Sequence, residues 1–141
     1  MLQGDDVLVI ADDNLFDFSL EGLVKRFNCV DDNTLVVRNE RKLNNQHIGE
    51  LNFARCNVDR MGKIISASYS FLPGTHTNKG MIICDLYLVH RKRIDNLSEN
   101  YIGKEWFKDF YAWEAKDGFW ADIGKFPLRK EAERYFNSLK D

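Results

Sequence analysis

The groups in this chain whose type and placement could do chemistry are acids set at the ends or in the middle of apolar runs. Asp12 and Asp13 follow directly on the apolar run at 7–11, and two carboxylates at a strand end can hold Mg²⁺. Asp85 interrupts a second apolar run at 81–89. With Glu114, Ala115 and Lys116 it makes the Asp then Glu-x-Lys set that metal-dependent nucleases place on adjacent strands to hold a metal and polarise water. His76 lies in a loop, 74–80, that offers hydroxyls, an imidazole and an amine between two glycines, a setting suited to an anion or small polar ligand. The histidines His47, His76 and His90 lack zinc spacing, and none adjoins a Ser or Cys nucleophile. No catalytic residue, metal ligand or cofactor is therefore assigned from the sequence.

Aromatic residues form the second candidate set. Eleven of the eighteen, with all three tryptophans, fall between Tyr101 and Phe136. Such a cluster is either core or an aromatic binding surface, because aromatics lead in both settings. Trp106, Tyr111, Trp113 and Trp120 are the candidate anchors, with His76, Arg91 and Arg93 as polar companions. The tetrad His90-Arg91-Lys92-Arg93 beside this segment could grip single-stranded nucleic acid by phosphate contact and stacking. Glu105, Asp109, Glu114, Asp117 and Asp122 are mixed through the same region and oppose that use.

Two short resemblances bear on these residues. The stretch 7–14 resembles the first strand and acidic pair of phosphoacceptor receiver domains, 82–88 resembles their acceptor-aspartate strand, and 123–127 resembles their lysine-proline turn. That resemblance implies Asp12 and Asp13 as metal ligands, Asp85 as the phosphoacceptor, Lys125 as the phosphate-sensing cation, and a parallel sheet. The chain departs from the family in the long interval from Asp13 to Asp85, the short one from Asp85 to Lys125, and the Phe126 between lysine and proline. The stretch 119–126 with Glu131 and Ala132 is similar to the strand, turn and helix of integrase-arm DNA-binding modules. Asp117 and Asp122 would repel DNA from such a sheet, so this stretch is expected to pack rather than bind.

The elements that must position these groups follow from periodicity. The run at 7–11 reads as a short buried strand. Leu20, Leu23, Val24 and Phe27 fall at helical spacing behind Ser19 as N-cap. A strand at 35–38 is followed by polar loop. Strands at 51–56 and 64–71 flank a turn at 58–62 and read as an antiparallel hairpin, with Ile65, Ala67, Tyr69 and Phe71 inward and Ser66, Ser68 and Ser70 outward. The run at 81–89 is apolar on both faces and should be the central strand. A strand pair around Asp117-Gly118 is expected next. Pro127 opens an amphipathic helix whose apolar face is Leu128, Ala132, Tyr135, Phe136 and Leu139.

Composition bounds the rest. With 141 residues, 44% hydrophobic and 30% charged, the chain is expected to be one α+β domain over 1–141, a mostly antiparallel sheet covered by two helices, including a C-terminal amphipathic helix. No run approaches a membrane span, and three widely spaced cysteines, Cys29, Cys56 and Cys84, suggest buried thiols and a cytoplasmic setting. Residues 1–40 hold nine acids against three bases, whereas the remainder holds thirteen against seventeen. The expected function is a non-enzymatic adaptor, inhibitor or regulatory subunit with a protein partner, self-association being one form of it. The alternatives are a metal-dependent phosphoacceptor or nuclease-like domain using Asp12, Asp13 and Asp85, and a single-stranded nucleic-acid binder through Arg91–Arg93.

Overall fold

The computed structural model describes residues 5–39, 54–69, 81–96, 106–123 and 126–140. In chain order they form β1 (Val7–Ile10), β2 (Asn14–Phe16), α1 (Glu21–Val30), β3 (Thr34–Arg38), β4 (Ala54–Val58), β5 (Ile64–Tyr69), β6 (Met81–Val89), a 3₁₀ turn (Arg91–Asn96), β7 (Tyr111–Glu114), β8 (Trp120–Asp122) and α2 (Phe126–Ser138). The class is α+β, with a mixed sheet ordered β5-β4-β6-β3-β7, to which β1 adds on β6. β7 runs parallel to β3. A separate antiparallel pair joins β2 and β8.

β6 is the centre, as its apolar pattern predicts. It pairs with β3 on one edge and, on the other, with β4 near Met81–Ile82 and with β1 near Leu86–Val89. The edge forks at Asp85, which takes a left-handed backbone conformation, φ 49°. There β6 advances four residues, Tyr87 to Ile83, while β3 advances two, Leu35 to Val37. Such a bulge re-aims a strand, and Asp is one of the few non-glycine residues that tolerates this conformation.

Alternate residues of β3 and β6 serve two cores. Val36, Ile82, Cys84, Leu86 and Leu88 pack on one side with Leu23 and Phe27 of α1 and with Trp120 and Ala121 of β8. Leu35, Val37 and Ile83 pack on the other with Ala54, Cys56, Ile64, Phe107 and Phe110. Both faces of these strands are covered, which explains their unbroken apolar runs. Burial pushes the Cys56 thiol up to about 12 and holds Cys84 well above its ordinary value. Cys29, expected to be buried, is exposed.

Local departures have local causes. In the β4–β5 hairpin the register shifts between Asn57 and Val58, leaving Ile65 as the extra residue between Ile64 and Ser66. Ile65 is consequently 53% exposed while Ile64 is fully buried, so simple alternation misplaces it. The strands around Asp117-Gly118 form but do not pair: β7 joins β3, and β8 joins β2. Gly118, φ 81°, turns the chain from one sheet into the other. α1 lies on β3 and β7, whereas α2 packs on β8 of the small sheet, so the two helices do not share the main sheet as expected. Ser19 Oγ accepts the Glu21 N–H at 3.1 Å, and Asp31, φ 54°, closes α1 with its N–H on the Phe27 carbonyl at 2.9 Å. α2 carries Pro127 in its first turn, where no N–H is needed, and ends before Leu139, which is exposed.

At Gly22 α1 approaches β7 closely, because a Cβ there would stand 2.5 Å from Cζ2 of Trp113. Gly22→Ala is expected to destabilise the protein by roughly 1–3 kcal/mol. Urea unfolding followed by tryptophan fluorescence measures it, and an unchanged midpoint would mean that the Trp113 ring yields freely.

Candidate functional site

β1 delivers the chain to a tight reversal at Asp12 and Asp13, where the Asn14 N–H returns to the Ala11 carbonyl at 3.3 Å. β2 then lies against β8, with Asn14 opposite Asp122 and Phe16 opposite Trp120. Directly opposed residues share a face of an antiparallel pair. On that face Asn14 is 7% exposed and makes two side-chain hydrogen bonds. Its amide Nδ2 donates to Asp13 Oδ1 at 2.9 Å, and its Oδ1 accepts the Trp120 indole N–H at 2.6 Å. The backbone of Asp13 is held as well, since its carbonyl accepts the Ile123 N–H at 2.8 Å. Asp13, half-buried, thus holds one end of an immobilised amide, and the half-buried Asp122 stands opposite Asn14 across the strand pair, while Asp12 is exposed.

A second set of bonds ties this platform to its supports. Asp17 Oδ1 accepts the Phe119 N–H at 2.5 Å, and the Tyr135 hydroxyl of α2 donates to Asp17 Oδ2. The Phe119 N–H, then the Tyr135 hydroxyl, hold the Asp17 carboxyl below its ordinary value, and the same contact raises Tyr135. Arg38, 3% exposed at the end of β3, donates Nη2 to the Gly118 carbonyl at 2.9 Å and sits 5.7 Å from the Phe18 ring centre. It anchors the crossover from β7 to β8.

The basic tetrad is spent on folding contacts. Arg91 reaches Asp6 at 3.4 Å, Lys92 reaches Asp31 at 2.6 Å, and Arg93 reaches Asp32 at 3.2 Å. His90 is 1% exposed. Its Nδ1 accepts the Lys92 N–H at 3.2 Å, which leaves the proton on Nε2 to be donated to Asp31 at 2.7 Å. The bonds from Lys92, then His90, hold the Asp31 carboxyl below its ordinary value. For Asp32 burial pushes upward, but Arg93 and the Asn33 N–H outweigh it and the carboxyl is lowered. Acids from the first 40 residues therefore pair with Arg91, Lys92 and Arg93.

The aromatic anchors are largely structural. Trp120 is 4% exposed and serves Asn14 rather than a partner surface. Trp106 packs edge-on to Tyr87, 5.4 Å between ring centres, and at 5.0 Å from Phe110. Tyr111 lies 5.5 Å from the Arg26 guanidinium. Trp113 is half-buried over Gly22 and meets Phe18 edge-on at 6.2 Å. Phe18, Gly22, Arg26, Trp113, Glu114 and Lys116 are among the residues lining a cleft of about 690 Å³ between α1 and β7.

The remaining candidates separate. Asp85 occupies the β6 bulge, and β3 stands between it and Glu114 of β7, so the Asp, Glu-x-Lys set does not occupy adjacent strands. β1 and β6 run antiparallel, unlike the receiver sheet. Among the described residues no group of three or more His, Cys, Asp or Glu is arranged to hold a metal ion, so Asp12, Asp13 and Asp85 do not form the expected trio. His76 and Lys125 lie outside the described residues. Asp122 and Asn14 were not singled out from sequence. The signal for them is a pairing, Asn14 with Trp120 and Asp122, that no local pattern discloses.

This architecture is shared with solved structures of nucleotidyltransferases. No protein-family model matches the sequence, and the search of curated proteins gives no match. Solved structures do match in fold. One is a Bacillus anthracis protein assigned as a glucose-1-phosphate thymidylyltransferase, in complex with a sucrose, with a TM-score of 0.68, 17% identity, and coverage of 93% of this chain and 54% of that one. Another is apo UDP-glucose pyrophosphorylase, with a TM-score of 0.68, 14% identity, and coverage of 98% and 56%. HddC from Yersinia pseudotuberculosis follows at 0.64, 15% identity, and coverage of 96% and 57%. The chain thus spans little more than half the length of these structures. The shared fold overturns the expectation of a non-enzymatic adaptor, inhibitor or regulatory subunit. Among the described residues no helix is long and apolar enough to cross a membrane.

Asn14→Ala leaves the Trp120 indole N–H buried without its acceptor, which costs roughly 1–3 kcal/mol; urea unfolding should show that loss, with a shift in Trp120 emission. Acid should act through Asp17, Asp31 and Asp32. Their carboxyls are lowered from an ordinary value of 3.8 in the folded state, so the stability they contribute is present above that value and is lost as pH falls through the lowered ones. Thermal midpoints should be flat near neutrality and drop below about pH 4. Asp17→Asn should make that drop shallower, and an unaltered acid limb would rule out the Asp17 contribution.

Proposed function

We propose that this chain contributes the acidic centre of a nucleotidyltransferase that acts on a phosphorylated sugar. One observation carries the proposal: within a nucleotidyltransferase fold, Asp13 and Asp122 stand on either side of Asn14 where β1, β2 and β8 meet. In the proposed reaction a phosphate oxygen of the sugar phosphate attacks the α-phosphorus of a nucleoside triphosphate. The bond from that phosphorus to the oxygen bridging to the β-phosphate breaks, and pyrophosphate leaves. Charge gathers on the phosphoryl oxygens, so positioning and neutralisation are the chief demands.

Two carboxylates suit a Mg²⁺-type cation, which keeps several waters and takes its other ligands from substrate phosphates. Such a cation would supply neutralisation of the phosphate charge. Asp13 and Asp122 would hold it. The Asn14 amide fixes one oxygen of Asp13, and the Ile123 N–H fixes its backbone, so the carboxylate is oriented before any ligand arrives. Trp120 prevents the amide from turning, since a rotated Asn14 would offer the indole N–H a donor in place of an acceptor.

Mn²⁺ titration followed by paramagnetic broadening of assigned NMR signals tests the centre. Broadening should focus on residues around Asp13 and Asp122, and Asp13→Asn or Asp122→Asn should each weaken affinity by at least about tenfold. Asp85→Asn, at a left-handed position that Asn tolerates, should leave it unchanged. Affinity indifferent to both site substitutions would overturn the proposal, and pyrophosphate release from UTP and glucose 1-phosphate provides the activity readout.

A further inference from the structure

Arg38 is a buried cation that meets backbone. It ends β3, 3% exposed, with its own backbone held in the main sheet opposite Ile82. Its guanidinium Nη2 donates to the Gly118 carbonyl at 2.9 Å, and Nη1 stands 3.5 Å from the Asp117 carbonyl. Among the described residues its buried Nε has no hydrogen-bond partner. Desolvating a charge for contacts of this kind contributes little to stability, and an apolar side chain of similar bulk commonly does as well. Nor do the carbonyls require Arg38, because residues 117 and 118 are exposed and water can serve them. What the contact does is fix a place.

The place is the crossover between the two sheets. The β3–β7 ladder ends where the Ala115 N–H meets the Val37 carbonyl at 2.9 Å, and the β2–β8 pair begins where the Asp17 N–H meets the Phe119 carbonyl at 3.1 Å. Residues 116–118 belong to neither ladder. Two side chains hold this stretch from opposite sides: Arg38 takes the Gly118 carbonyl, while Asp17 Oδ1 takes the Phe119 N–H at 2.5 Å. Gly118 passes so close to Asp17 that a Cβ on it would stand 2.7 Å from Oδ1. The Phe119 N–H, then the Tyr135 hydroxyl, hold the Asp17 carboxyl below its ordinary value, and the charge of Arg38 adds to them, so the two ends of the clamp attract. β8 follows at once, carrying Trp120 and Asp122.

We propose that Arg38 is a positioning residue for Asp122: by clamping the crossover together with Asp17, it sets where β8 meets β2 and so places Asp122 opposite Asn14. The proposal deepens the reading of Asp13 and Asp122 as a cation-holding centre and rests on it. Asp13 keeps its own tether to the Asn14 amide, so loss of Arg38 acts through Asp122.

Arg38→Met keeps most of the bulk and removes the fork. Its thermal midpoint should be unchanged or higher, while Mn²⁺ affinity, read by paramagnetic broadening, should fall at least about tenfold. Placed on Asp122→Asn, the same substitution should cause no further loss, because the two act through one group, whereas a general loosening of the fold would add to it. In the metal-free protein, hydrogen exchange at the Ile123 amide, which bonds the Asp13 carbonyl at the far end of β8, should quicken at least about tenfold, with the Asp31 amide that closes α1 unaltered. Arg38→Lys keeps the charge but offers no fork. It should show both effects at smaller size, and it carries the test if the methionine variant does not fold. Unchanged affinity, full additivity with Asp122→Asn, or unchanged exchange at Ile123 would each overturn the proposal. Mn²⁺ that fails to broaden signals around Asp13 and Asp122 in the unsubstituted protein sinks the acidic centre, and exchange at Ile123 then decides the clamp alone.

Discussion

Everything in this fold depends on one strand serving three partners. β6 holds β3 along one edge, but on its other edge it must leave β4 and take up β1 within a few residues. A regular ladder cannot do this without leaving backbone groups unpaired, and buried backbone groups are almost always paired. The bulge at Asp85 resolves the conflict by inserting residues against β3 and turning the strand, and the Ala11 N–H then closes on the Asp85 carbonyl at 3.1 Å. The direction in which β1 leaves the sheet, and hence the place where Asp13 arrives, is set there. Asp85 acts through its backbone conformation, which is why its place in an apolar run looks from sequence like a reactive acid.

Charge is used in two ways. Asp31 and Asp32 sit where α1 ends, and Lys92 and Arg93 sit where β6 ends, so their pairing locks the helix end to the strand end around the buried His90. Exposed pairs contribute little singly. Here they cooperate with the Asn33 side chain, which accepts the His90 N–H at 2.8 Å within the core boundary. At the other end of the molecule Asp13 accepts from the Asn14 amide, and Asp122 stands opposite Asn14 across the strand pair.

Much of the fold was legible because it rests on local periodicity. The closing helix, the β4–β5 hairpin and the central β6 are visible in spacing and apolar runs alone. Pairing was not legible. β7 and β8 read as a hairpin because Asp-Gly favours one, but each pairs elsewhere: β3 offers β7 a parallel ladder, and β2 offers Trp120 an acceptor. Ile65 was misplaced by a bulge that alternation cannot foresee. Asp13 was visible as half of an acidic pair at a strand end, and Asp122 only as a charge unfavourable to DNA. Their convergence is a tertiary fact spanning more than 100 residues of sequence. The aromatic cluster, ambiguous in composition, resolves mostly into packing, with Trp120 the member that links core to site.

That link explains why residue 14 is asparagine. The position needs one group that donates to a carboxylate and another that accepts from an indole, held on the same short side chain. A carboxylate there could accept from Trp120 but would repel Asp13. An aliphatic residue would leave the indole N–H and the Asp13 oxygen without their partner, and a hydroxyl is too short to span both. An amide meets both demands, and the buried indole sets which end faces which way. The hydrophobic core therefore reaches the acidic pair through a single side chain, so packing around Trp120 and the orientation of Asp13 are one constraint. A substitution in the core that displaces the indole should disturb the acids without touching them.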